Sequence, residues 1–216
     1  MLDTYCLLAG LLRILSPGLL LLIWHKKAGA RFYPALIAYA VCLPAFTIGS
    51  AIRSGLSHEN FISYYIGQGI IFGIMEEGTK YLVMAYLLTS YDSRKDAVTY
   101  GIGHSAYETI SSGLTCIGLI GTGNAAPDIL WVSPLFLIDG IASTTALTLL
   151  IFYGIRTGKT KRMLPIAILL HAVANASQGI FISSVSSVIN ILLLIGECYA
   201  AYRCWRALWE PDESFF

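Results

Sequence analysis

The sequence predicts an all-α fold: a polytopic transmembrane bundle of about seven helices, with the N-terminus outside and the C-terminus cytoplasmic. Three observations predict it. Of 216 residues, 56% are hydrophobic and only 12% are charged, whereas a soluble domain carries about 25% charged residues. Apolar runs of about 20 residues recur, each long enough to cross a hydrocarbon core of roughly 30 Å. The lysines and arginines gather in alternate connections, as the positive-inside rule requires. The net charge of +1 gives no reason to expect nucleic acid as a partner. Membrane lipid is the surrounding medium.

The expected spans are 3–24, 33–51, 61–89, 97–120, 131–155, 163–183 and 187–203. Residues 3–24 are read as a retained span rather than a cleaved signal peptide. Met1-Leu2-Asp3 lacks a basic start, and His25-Lys26-Lys27 stands where an uncharged stretch should precede cleavage at Ala28-Gly29-Ala30. The connections carry Gly, Ser, Asn and charged residues, with a Ser-rich link near Ser183–Ser187 between the last two spans. Lys26, Lys27, Arg31, Arg94, Lys95, Arg156, Lys159, Lys161, Arg162, Arg203 and Arg206 fall on the inner side, eleven of the fourteen basic residues. The whole of 1–209 reads as a single helical domain, followed by a short acidic tail, 210–216, expected to be disordered. The five cysteines are odd in number and form no CxxC, so apolar packing is expected of them rather than disulfides or a thiolate metal site.

Charge within a hydrocarbon-length run is costly and marks function or a buried pairing. The third span holds Glu76-Glu77-Gly78-Thr79-Lys80, the fourth Tyr100-Gly-Ile-Gly-His104-Ser-Ala-Tyr-Glu108, and the sixth His171-Ala-Val-Ala-Asn175. At 1.5 Å per residue, Lys80 and Glu76 lie about 15 and 21 Å below the inner face, His104 and Glu108 about 10 and 16 Å, and His171 and Asn175 about 12 and 18 Å. Three helices thus deliver polar residues to one layer. Glu76–Lys80, His104–Glu108 and His171–Asn175 are each i,i+4 pairs that share a helix face. Gly73, Gly78, Gly101 and Gly103 offer close backbone approach or space for water.

This set suits hydrolysis of an amide. A glutamate beside a second carboxylate in low dielectric suits a general base. A histidine can hold the water or move its proton. A His/Asn pair can donate to an oxyanion, and Lys80 can orient the second carboxylate. The bland alternative is a set of buried ion pairs and interhelical hydrogen bonds that fix packing. Arg13 is expected to pair with Asp139 or Glu197 as a structural clasp.

These three blocks, in this order, resemble the glutamic-type intramembrane proteases. That superfamily includes the CAAX prenyl endopeptidases, the bacteriocin-processing and immunity relatives, PrsW and the YhfC family. The YhfC family is the nearest in pattern, and the resemblance covers about residues 70–180. It implies that Glu76 is the water-activating base and His104 its partner. His171 and Asn175 would form the oxyanion site, with Glu77 and Lys80 in support and Glu108 in the same site. It implies an intramembrane endopeptidase of a bacterial cytoplasmic membrane, acting on a membrane protein or lipidated peptide. The chain departs from the pattern in three places: Lys80 stands where many members have Arg, Asn175 where YhfC-like members more often have Asp, and no histidine lies near Thr144 or Thr145. A mechanism without metal is the expectation, because Asn175 is a poor zinc ligand and Lys80 would repel a cation. The alternative is a Zn²⁺ site on Glu76, His104 and His171. Two non-enzymatic alternatives are a proton-coupled transporter and an immunity-type binding protein of the same fold.

Overall fold

The computed structural model describes the backbone of residues 2–123, 129–181 and 183–208, and the side chains within them except those of 129–139 and 183. Among the described residues seven α-helices follow one another: α1 Leu2–Ala28, α2 Tyr33–Arg53, α3 Phe61–Leu82, α4 Arg94–Gly118, α5 Ile129–Arg156, α6 Thr160–Ile180 and α7 Ser183–Ala207. A π-helical turn, Val83–Leu87, extends α3. The tail 210–216 lies outside the described residues.

Local chemistry sets the ends. Asp3 opens α1 and Lys26 and Lys27 close it, each charge complementing the helix dipole. Gly29, at φ +66, then turns the chain. The Asn60 side chain accepts from the Ser63 N–H to start α3. Helix α4 starts at Arg94, three residues before the expected 97, because Ser93 and Asp96 form a reciprocal capping box. The expected Ser-rich link 183–187 is instead the first turn of α7.

Among the described residues, four helices are long and apolar enough to cross a membrane: α1, α2, α6 and Ser184–Ala207 of α7. A shorter apolar stretch covers Gly140–Arg156 of α5. Helices α3 and α4 are not among them, because they carry the charged motifs. Their 22 and 25 residues still reach about 33 and 37 Å. In α3 the two faces are clear. Ile62, Ile66, Ile70 and Ile74 point outward at i,i+4 spacing. Gly69, Phe72, Gly73, Glu76, Glu77 and Lys80 are buried. The apolar face suits lipid and the polar face is internal, the arrangement of a membrane bundle around a polar site.

Helix α4 is central. It packs on α1, α2 and α5, while α3 packs chiefly on α6. Contacts at the helix ends fix the alternation. Gly121 N–H donates to Asp3 at one end, and Trp24 Nε1–H donates to the Lys95 carbonyl at the other. The second end is the basic one. There Trp24 meets Trp205 edge-on, with ring centroids 6.2 Å apart. Arg31 pairs with Asp96, and Arg94 sits over the Trp205 ring. The main apolar core, including Leu88, Ala97, Tyr100, Leu147, Ile151 and Phe152, fills the bundle on this side.

Candidate active site

Glycines bring the site helices together. A Cβ on Gly73 would lie 2.8 Å from the Ile168 carbonyl oxygen, and one on Gly69 would press on the Ala172 carbonyl. Gly69 and Gly73 thus form a small-xxx-small seam against α6. It sets Glu76 and Glu77, one turn further on, beside His171. On α4, a Cβ on Gly101 would stand 2.7 Å from Thr145 Cα, and one on Gly103 would run into Ala35. Helices α2 and α5 therefore close tightly around His104. Gly78 makes no such approach: nothing lies within 4 Å of a Cβ placed there.

The motif residues of α3, α4 and α6 meet. Glu76, Glu77, Lys80 and His104 are buried, and His171 nearly so. Lys80 Nζ donates to Glu77 Oε1 at 2.6 Å, an i,i+3 pair with both side chains fully buried. The lysine therefore serves Glu77 and not Glu76. His171 Nδ1–H donates to the same Glu77 oxygen, also at 2.6 Å. This leaves His171 Nε2 facing Glu76 Oε1 at 3.7 Å. The other Glu76 oxygen lies 3.4 Å from His104 Nε2. Tyr100 stacks on the His104 ring at 6.1 Å.

Beyond Glu76 and His171 opens a cavity of about 380 Å³. Glu108, Asn175 and His171 line it, with Ser111, Ser143, Thr144 and Gln178 adding polar groups. Glu108 thus lines the cavity and is close enough to Glu76 to feel its charge. Asn175 lies on its wall, one turn from His171. A second cavity, about 570 Å³, lies among α1, α4, α5 and α7 and is lined by none of the titratable motif residues. Size does not mark the site; the convergence of titratable groups does.

Sequence reasoning missed Cys42. Its Sγ is 3.7 Å from His104 Nε2, so this cysteine lies at the site rather than in plain apolar packing. Only the packing of α2 on α4 reveals it. The Gly69-xxx-Gly73 seam was a signal available in the sequence. Arg13 donates to Cys116 Sγ at 3.2 Å. Its expected partner Asp139 has a side chain outside those described, and Glu197 is buried on α7.

Comparison with known families adds one finding. A family model described as YhfC intramembrane metalloprotease matches residues 47–123. The matched stretch is YhfC-like. The match spans the first two motifs, Glu76 to Lys80 and Tyr100 to Glu108, but not His171 or Asn175. No curated protein and no solved structure matches the chain. The YhfC description names a membrane-embedded protease and implies a metal.

Two observations test whether the residues fit that metal. Among the described residues, no three His, Cys, Asp or Glu side chains stand as a ready cage. However, the Glu76 oxygens lie 3.4 and 3.7 Å from the two imidazole nitrogens. Tetrahedral zinc with bonds of 2.0–2.1 Å separates its ligands by about 3.4 Å. His171 also has the outer partner typical of a metal-binding imidazole, a carboxylate on its other nitrogen. Each imidazole therefore stands at a ligand-like separation from one Glu76 oxygen, so the residue types suit a zinc-sized ion, although the three do not already form its cage.

Proposed function

We propose that the chain is an intramembrane endopeptidase that hydrolyses a peptide bond of a membrane-embedded or lipidated substrate. One observation carries the reading. With its Nδ1–H committed to Glu77, His171 presents Nε2 to Glu76 Oε1, 3.7 Å away. A carboxylate oxygen is an acceptor only, so a positive species belongs between the two atoms, a metal ion or a proton carried on Nε2. That is the place where a water would be activated.

Glu76, His104 and His171 would hold the metal. When bound, Zn²⁺ supplies a Lewis acid and lowers the pKa of bound water toward neutrality. The protein's own groups do the rest. Glu77 and Lys80 fix the His171 ring. Glu108, on the cavity wall, takes the proton from water and passes it to the leaving amine. The Asn175 amide donates to the developing oxyanion. This replaces the expectation of a metal-free mechanism. The family description and the ligand-like separations both favour metal, and the objection from Lys80 falls because its charge is paired with Glu77.

A second reading keeps the metal-free route, on a specific observation. His104 Nδ1 has no hydrogen-bond partner among the described residues. A metal on Nε2 would put the proton on Nδ1 and leave a buried donor unsatisfied. With the proton on Nε2, His104 donates to Glu76, and Glu76 itself becomes the base. A panel of transmembrane peptides, incubated with wild type and with Glu76→Gln, tests the activity itself. Cleavage by wild type that Glu76→Gln abolishes supports the peptidase. Loss of cleavage with a chelator and its return with zinc selects the metal reading. Cleavage indifferent to chelator, from protein free of zinc by elemental analysis, selects the second.

A further inference from the structure

The cavity has a direction. At its deep end lie Leu147, 1% exposed, and His171, 13% exposed at its side chain. At its shallow end Ser111 and Gln178 are exposed. Along α4 and α6 the lining residues run from His171 to Gln178 and from Tyr107 to Ser111, away from the basic end. Gln178 stands two residues before the last residue of α6, Ile180. Toward the basic end the site meets the apolar core, where Tyr100 is 1% exposed and Lys80 is fully buried. Among the described residues, the site is stoppered on the basic side and open on the other.

We infer that substrate reaches Glu76 from the end of the bundle that carries the start of α1 and the α2–α3, α4–α5 and α6–α7 connections. Since basic residues mark the cytoplasmic end, this is the extracytoplasmic face. The substrate class is then a membrane-anchored peptide that presents its scissile bond from that side. Ser111, Ser143, Asn175 and Gln178 supply hydroxyls and amides along the way in, groups that pair with an extended backbone. That the incoming chain is a peptide rests on the function proposed above; the side of entry rests on the cavity alone.

Engineered cysteines read the side of entry without any need for activity. Gln178→Cys and Ser111→Cys are made at exposed mouth positions, and Arg162→Cys at the basic end serves as reference. Each is treated with a membrane-impermeant maleimide on intact right-side-out vesicles and on inverted vesicles. Labelling of either mouth cysteine in right-side-out vesicles, with Arg162→Cys labelled only in inverted ones, is the expected result. Labelling of both mouth cysteines only in inverted vesicles, together with Arg162→Cys, overturns the inference, as does failure of both to label in either orientation. A polyethylene-glycol maleimide on Gln178→Cys should also cut peptide cleavage at least tenfold; unchanged cleavage by fully modified protein overturns it too. If no peptide is cleaved by any form, the peptidase reading fails while the labelling still decides the side of entry.

Discussion

The two glutamates are neighbours in sequence and equally buried, yet they are held very differently. One oxygen of Glu77 accepts two short hydrogen bonds, from Lys80 and from His171, each 2.6 Å long. Glu76 spreads its oxygens toward two imidazoles at 3.4 and 3.7 Å, beyond the usual range of a good hydrogen bond. The difference separates structure from chemistry. Short, paired contacts fix an ion pair and a ring; loose ones leave a carboxylate able to accept a proton or take up a ligand. Adjacent residues on a helix point about 100° apart, so one carboxylate can face the α6 ring and its lysine while the other faces the space between α4 and α6.

Substitution can break this contrast. Glu76→Gln should lower peptide cleavage about 10²–10⁴-fold and leave the thermal midpoint near that of wild type; a large fall in the midpoint would mean that Glu76 holds the fold as well. Glu77→Ala should act the other way. It strands the buried Lys80 ammonium and should destabilise the protein by about 3–5 kcal/mol, seen as a lower unfolding midpoint in detergent. Gly73→Leu should wedge α3 from α6 and displace His171. A shift of about 1 Å costs roughly a hundredfold in rate, whereas Gly78→Ala, with open space around it, should cleave as wild type does. Arg31→Ala should matter least, because a half-exposed salt bridge contributes about 0–1 kcal/mol, and equilibrium unfolding would show it.

Much of this was legible. Apolar runs and basic connections gave seven helices, since the bilayer fixes both helix length and charge placement. Three motifs of i,i+4 pairs placed at one depth predicted the meeting of Glu76, His104 and His171, and an ammonium one turn from a carboxylate pair predicted that Lys80 would hold the second carboxylate, Glu77. The rest depends on what no single helix shows. Cys42 carries no mark of its site until α2 packs on α4. The start of α7 was hidden because serines can bond back to the carbonyl of the preceding turn and so sit inside helices. The two roles offered for the glycines also divide only in the packed bundle: Gly73, Gly101 and Gly103 meet a neighbouring backbone, whereas Gly78 borders open space. The choice between metal and proton was also beyond reach, since it turns on ångström separations across helices.

The Glu77–Lys80 pair also bears on how the protein is made. Both partners belong to α3, so the pair can form as soon as that helix does. A charged side chain at mid-bilayer costs about 2.5–3.5 kcal/mol on insertion, and α3 carries three of them. His171 is not synthesised until some ninety residues later, which follows from its separation of 94 positions from Glu77. A lysine within the same helix neutralises one carboxylate during that wait. The third helix is thereby equipped to enter the bilayer before the sixth exists.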